Sequence, residues 1–214
     1  MKILVIGASG RVGKILTKKL LEKNHEVIGT TRQNESLFGN YNYTQISLDL
    51  LGEIEDMQEK IPNDIDAIYF VSGSRAKNLL ALDLHGAIKT MKIAENKNIK
   101  QYIMLSSVFS LETHKWKDEG FDELKDYYIA KHYADEWLVR NTHLNYTILQ
   151  PSALKETEGT GKIEVNIKHP GENAIEDVAT TLLEVLNNKA TFKKVISMHS
   201  GTTPIKKAID TLGH

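Results

Sequence analysis

Residues 6 to 20 read IGASGRVGKILTKKL, and they narrow the choice of fold more than any other stretch. Glycines 7, 10 and 13 follow a fully apolar run, KILVIG at 2–7, and precede a segment in which Val12, Ile15, Leu16 and Leu20 share one helical face. A short run rich in β-branched residues predicts a strand buried on both sides. The helical period that follows predicts an amphipathic helix. Gly7-Ala8-Ser9-Gly10-Arg11-Val12-Gly13 is therefore a G-x-x-G-x-x-G loop between a strand and a helix. In such a loop the first glycine permits a tight exit from the strand. The second lets the backbone approach a pyrophosphate, and the third lets the helix close on the sheet. Free N–H groups at the helix start then face the anion. A triphosphatase loop is excluded by spacing: five residues separate Gly7 from Gly13, and Ile15 follows Lys14 where a Mg²⁺-binding Ser or Thr is needed. A bare turn rarely needs three spaced glycines, so the loop is predicted to cradle a dinucleotide through Gly7, Ser9, Gly10, Arg11, Val12 and Gly13.

The same alternation of periods runs through the chain. Strands are predicted at 25–32, 43–50, 66–73, 100–107, 145–151 and 193–201, with an extended stretch at 161–168. Helices are predicted at about 78–98, 126–141, 174–188 and 203–213. Strands without a polar face, alternating with helices, predict an α/β fold: a doubly wound, mostly parallel sheet covered on both sides. With 214 residues, 41% of them hydrophobic, the chain is read as one domain. Residues 1–150 form the nucleotide-binding core, and 151–214 complete the sheet and the substrate side. Leu80, Leu84, Ile88 and Met91 lie along one side of the helix at 78–98 and are expected to bury against the sheet, with contact to a second subunit left open.

Several classes of function fall away. The net charge is −1 with no block of like charges, so no broad basic surface for nucleic acid is expected. No apolar run approaches the roughly 20 residues of a membrane span, and a cytoplasmic location is expected. Cysteine is absent, which removes disulfides, thiolate metal sites and cysteine nucleophiles. The eight histidines show no zinc-site spacing, so no metal is expected. G-x-S-x-G, the nucleophile elbow of hydrolases, is also missing. Asp122, Glu123 and Asp126 are read as charges complementing a helix start, and Asp177 likewise. Trp116 and Phe121 lie in a loop bordering the carboxyl ends of the strands, as pocket wall or as ordinary packing.

The end of the second strand speaks to the cofactor. A carboxylate there would bind a ribose 2′-hydroxyl and favour NAD. The chain instead has Thr30, Thr31 and Arg32, with no carboxylate before Glu35. A guanidinium at that position pairs with a 2′-phosphate, so NADP(H) is the expected cofactor, with Arg11 as a second positive charge.

GASGRVG, SLDL (47–50), FVSGS (70–74), YIMLSS (102–107), YYIAKHYADEWL (127–138) and YTILQPSAL (146–154) occur in an order that resembles the short-chain dehydrogenase/reductase superfamily. The likeness is to its atypical NAD(P)-binding branch, with NmrA-like and flavin-reductase-like proteins as relatives. The resemblance implies that Asp49 and Leu50 lie by the adenine and that Val71, Ser72 and Gly73 run beneath the adenosine ribose. It also implies a Y-x-x-x-K pair, Tyr127 and Lys131, with Ser107 orienting a substrate carbonyl and Lys131 also holding the nicotinamide ribose. Tyr127 and Lys131 share a helical face, and a nearby ammonium lowers a phenol pKa from about 10. Tyr128, three residues before Lys131, shares that face too, so the choice of tyrosine stays open. Gln150 stands where such relatives often carry arginine. The implied function is NADPH-dependent reduction of a small carbonyl, quinone or flavin-like acceptor. The alternative is a redox sensor that binds NADP(H) and signals to a protein partner. An epimerase or dehydratase holding NAD is disfavoured by the short chain and by Arg32.

Overall fold

The computed structural model describes residues 1–117 and 120–213. The opening apolar run forms β1 (Lys2–Ile6), and the helix after the glycine loop is α1 (Arg11–Glu22). There follow β2 (Glu26–Thr30), β3 (Tyr43–Ile46), α2 (Ile54–Lys60) and β4 (Ala67–Phe70). A π-helical segment, Leu79–Gly86, runs straight into α3 (Ala87–Asn96). Next come β5 (Gln101–Leu105), α4 (Lys125–Asn141), β6 (Tyr146–Pro151) and β7 (Ala153–Lys155). The remainder is β8 (Lys162–Val165), β9 (Glu172–Ala174), α5 (Ile175–Glu184), β10 (Lys194–Ser200), β11 (Thr203–Pro204) and α6 (Ile205–Asp210).

The main sheet has the order β3-β2-β1-β4-β5-β6-β10-β8-β11. Every pairing from β3 to β10 is parallel; β8 and β11 add an antiparallel edge. Chain order reverses between β1 and β4, which opens a crevice at the carboxyl ends of these strands, where α/β sheets bind ligands. Alternate residues of β1 feed two cores, as a pleated strand buried on both faces must. Ile3 and Val5 join Leu16 and Leu20 of α1, Leu182 of α5 and Ile209 of α6. Leu4 and Ile6 join Ile68, Phe70, Met91 of α3 and Leu138 of α4. Residues after 150 thus complete the sheet and one of its helical layers.

The helix at 78–98 departs from expectation. A π turn spends more residues per turn than an α turn and shifts the helical phase. Consequently Leu80 is 69% exposed, Leu84 and Ile88 are half-buried, and only Met91 of the expected stripe is fully buried. Asp83 and Gly86 face inward instead. A Cβ at Gly86 would lie 3.2 Å from Leu50 Cβ, so the glycine lets the segment sit close on Leu50. α2, the β7–β9 ribbon and β11 have no counterpart in the periodicity, and β3 stops at Ile46 rather than running to 50.

Candidate active site

The glycine loop is built as its spacing requires. Gly7 has φ +95°, and a Cβ there would lie 2.8 Å from Ser72 Cα on the adjoining strand end. A Cβ on Gly13 would lie 2.1 Å from the Gly7 carbonyl oxygen, so only glycine lets α1 start this close to β1. Gly10 N donates to Gly7 O at 2.9 Å, which closes the turn. Thr30, which sequence reasoning placed only as a strand end, fixes the loop to β2: Gly7 N donates to its Oγ1 at 3.1 Å and Ala8 N to its carbonyl at 3.2 Å. No side chain caps α1 at Gly10. Its first N–H groups therefore face outward with the positive end of the helix dipole, the requirement for holding a pyrophosphate. The residues present fit a dinucleotide.

Beside this loop lies a cavity of about 790 Å³. Gly10, Arg11, Val12, Val71, Ser72, Gly73, Ser107, Tyr127, Tyr128 and Lys131 all line it, so most of the expected site residues converge. Arg32, Asp49 and Leu50 stand apart from the cavity, at the carboxyl-end side of β2 and β3. Arg32 is exposed and makes no ion pair among the described residues. Asp49 accepts from Leu51 N at 2.9 Å, and Leu50 is buried in the core. Arg11 reaches Glu156 at 3.4 Å, an exposed pair that contributes little.

The other end of the cavity is lined from the segment after β5 and from α4. Ser107 Oγ donates to Tyr128 Oη at 3.3 Å, so the tyrosine brought to the serine is Tyr128 rather than Tyr127. Tyr128 is stacked on Phe121, with ring centroids 4.4 Å apart and planes 8° apart, and packs on Trp116 at 5.5 Å. Phe121 also lines the cavity, whereas Trp116 packs on Tyr128 and His132 without lining it. Burial pushes the Tyr128 phenol up to about 12, against the hydrogen bond from Ser107, so the hydroxyl keeps its proton near neutrality. Lys131 is buried, its Nζ donating to Leu105 O at 3.4 Å and lying 5.8 Å from the Tyr127 ring centre.

Beneath these residues is a polar cluster that no local spacing announces. Asp135, one turn after Lys131, is fully buried. Its Oδ2 accepts from Ser106 Oγ at 2.6 Å, from Ser110 Oγ, and from Gln150 Nε2 at 3.3 Å. Its Oδ1 has no hydrogen-bond partner among the described residues. Burial raises the carboxyl pKa, opposed by the two serines, by the Lys131 charge and by Gln150. Gln150 thus serves as a buried amide donor. Two further residues escaped the sequence reading: Arg75, exposed with φ +54° at the cavity edge, and Asp83, which accepts from Ser74 N at 3.0 Å and ties down the loop after β4. Asp177 lies in the first turn of α5, as expected, and its carboxylate also accepts from Thr160 N and Gly161 N at 2.9 and 2.8 Å, which holds the loop before β8.

A doubly wound sheet with a glycine cradle at its switch point defines a dinucleotide-binding protein. The chain belongs to the NAD(P)H-binding family, whose model matches residues 7–189. It is similar to the UPF0659 protein YMR090W of Saccharomyces cerevisiae, 31% identical over 99% of both chains. It is similar also to the uncharacterized sugar epimerase YhfK of Bacillus subtilis, 30% identical over 99% of this chain and 100% of that one. Among solved structures, the oxidoreductase ylbE of Lactococcus lactis is 44% identical with a TM-score of 0.94, covering 99% of this chain and 96% of that one. Among the described residues, no helix is long and apolar enough to cross a membrane.

Proposed function

We propose that the protein is an NADPH-dependent oxidoreductase that reduces a small carbonyl, quinone or flavin-like acceptor. The observation that carries this reading is the Ser107–Tyr128 hydroxyl contact beside buried Lys131, in the cavity that adjoins the glycine loop. NADPH, when bound, supplies the hydride. Ser107 and Tyr128 would direct their hydroxyls at the acceptor oxygen, and Tyr128, protonated near neutrality, would donate the proton. Lys131 would hold the nicotinamide ribose. Arg32, exposed and unpaired among the described residues, favours the 2′-phosphate and hence NADPH. Asp49, Leu50 and the 71–73 strand end would take the adenosine. The oxidoreductase name of the Lactococcus lactis relative agrees with this reading. The epimerase name of the Bacillus subtilis relative points elsewhere, to a reaction cycling a tightly held NAD. Arg32 weighs against that cofactor. A cytoplasmic location goes with the reductase reading.

One observation favours a second reading. The raised Tyr128 pKa and the tight Phe121 stack are what a packed, unreactive ring would show, as in an NADP(H) sensor that signals to a protein partner. Steady-state assays of NADPH oxidation with carbonyls, quinones and free flavins separate the two. Turnover that Tyr128→Phe abolishes supports the reductase. NADPH binding without turnover across the panel overturns it in favour of the sensor.

A further inference from the structure

We propose that Gln45 is a specificity-determining residue that acts through Arg32: it folds the segment after β2 so that the guanidinium is held for a ribose 2′-phosphate. The inference rests on the NADPH reading above. Residues 31–42 join β2 to β3 with no regular structure and are largely exposed. Ordering such a stretch costs backbone entropy at every residue, so something specific must fix it.

Gln45 does so with its whole hydrogen-bonding capacity. Its Nε2 donates to Gln33 O at 2.9 Å and to Glu35 O at 3.0 Å. Its Oε1 accepts from Leu37 N at 3.1 Å and from Tyr43 Oη at 3.3 Å. A primary amide has two donors and an oxygen with two lone pairs, and every one is engaged here. Three alternate residues of one loop are therefore gathered on one side chain. No carboxylate, hydroxyl or apolar residue offers the same two donors and two acceptors.

Arg32 sits at the near end of this clasp. On its N-terminal side Thr31 N donates to Ile46 O at 3.2 Å, and Gln33 N on its C-terminal side donates to Thr31 Oγ1 at 3.1 Å. The backbone on both sides of Arg32 is thus tied down while its side chain stays unpaired among the described residues. Behind the loop, Leu37 and Phe38 pack on the core, with Phe38 edge-on to Tyr43 at 5.0 Å. Gly29 makes room for that ring, since a Cβ there would lie 2.4 Å from Tyr43 Oη. Gly29, Tyr43 and Gln45 form one chain of contacts from the strand to the backbone beside Arg32. Phosphate selectivity needs a preorganised charge, and Gln45 supplies the preorganisation.

The test is a set of nicotinamide-fluorescence titrations of the full chain with NADPH and with NADH. The proteins compared are wild type, Arg32→Ala, Gln45→Ala and the near-isosteric Gln45→Glu, which keeps side-chain length but cannot donate. The expected result is that either Gln45 variant weakens NADPH by about tenfold while leaving NADH within about twofold. In a double variant with Arg32→Ala, the Gln45 change adds little further loss, because the two residues act as a unit. A parallel loss of both coenzymes would mean a merely structural role and overturn the proposal. A wild-type preference for NADPH that Arg32→Ala abolishes and both Gln45 variants leave intact overturns it too, and leaves the Arg32 reading standing. A wild type without any NADPH preference overturns the Arg32 reading, and this inference falls with it.

Discussion

Tyr127 and Tyr128 show how much can turn on a single side chain. Their spacings to Lys131 both suit a helix, and the roll of α4 decides between them. Phe121 and Trp116, from the loop before the helix, pack on Tyr128 and turn its hydroxyl to Ser107. Tyr128→Phe is expected to lower kcat by about 10²–10⁴, the usual contribution of a positioned acid, with the NADPH Kd nearly unchanged. Tyr127→Phe is expected to retain most of the activity. With its pKa pushed up to about 12, Tyr128 holds its proton throughout the neutral range. Activity that depends on the protonated phenol is present below that value and lost only as pH rises through it. The rate profile is therefore expected to be flat from about pH 6 to 9 with respect to this group; a fall centred near neutrality would assign the acid elsewhere. The glycines were legible at this scale because their constraint is local: a Cβ at position 13 meets the Gly7 carbonyl whatever the rest of the chain does. Asp135 was not legible, because its partners Ser106, Ser110 and Gln150 lie 29, 25 and 15 residues away along the chain and meet it only in the fold.

Among the elements, the central strands announced themselves. β1, β4, β5 and β6 are apolar runs whose residues are buried on both faces, so burial and sequence pattern coincide. α2 did not, since only Met57 of its seven residues is buried and it carries no apolar stripe. β7 and β9 are three residues each and exist through a pairing between distant segments, which no window of sequence contains. The π-helical segment departs from its sequence pattern for a different reason: residues 79–86 do not follow the α-helical period. Two substitutions check its phase by urea denaturation. Leu80→Lys is expected to change stability by no more than about 0.5 kcal/mol, as at an open surface. Met91→Ala is expected to cost about 2–5 kcal/mol, as in a core. On α4, Asp135 makes a pH-dependent contribution. Its folded pKa lies above the ordinary 3.8, chiefly through burial, so stability from this group is fully present below 3.8 and lost as pH rises through the folded value. The titratable groups facing it are Lys131 and Tyr102. The stability difference between wild type and Asp135→Asn should therefore shift in favour of the variant as pH rises above 3.8 and through the folded value. A difference independent of pH would mean that Asp135 has the same pKa folded and unfolded.

In the whole molecule, the parallel sheet brings three separate strand ends to one edge. β1 supplies the glycine loop, β2 Arg32, and β5 the serine that meets α4. The order of these pieces along the chain was readable, since each strand end carries its own short motif. The identity of the proposed acceptor was not, because the cavity wall is drawn from the loop before α4 and from residues after 150, where spacing carries no chemical code. A molecule built this way should be stabilised by its coenzyme through linkage, by about 2.7 kcal/mol at one hundred times Kd. For a chain of this size that is a rise in Tm of about 5–10 °C. The most direct test is titration of the purified protein with NADPH and NADH, followed by nicotinamide fluorescence, in wild type and Arg32→Ala. Tight binding of NADPH, much weaker binding of NADH, and loss of that preference in the variant are the expected results. Failure of every nicotinamide form to bind would contradict the phosphate cradle itself, and with it both the reductase and the sensor.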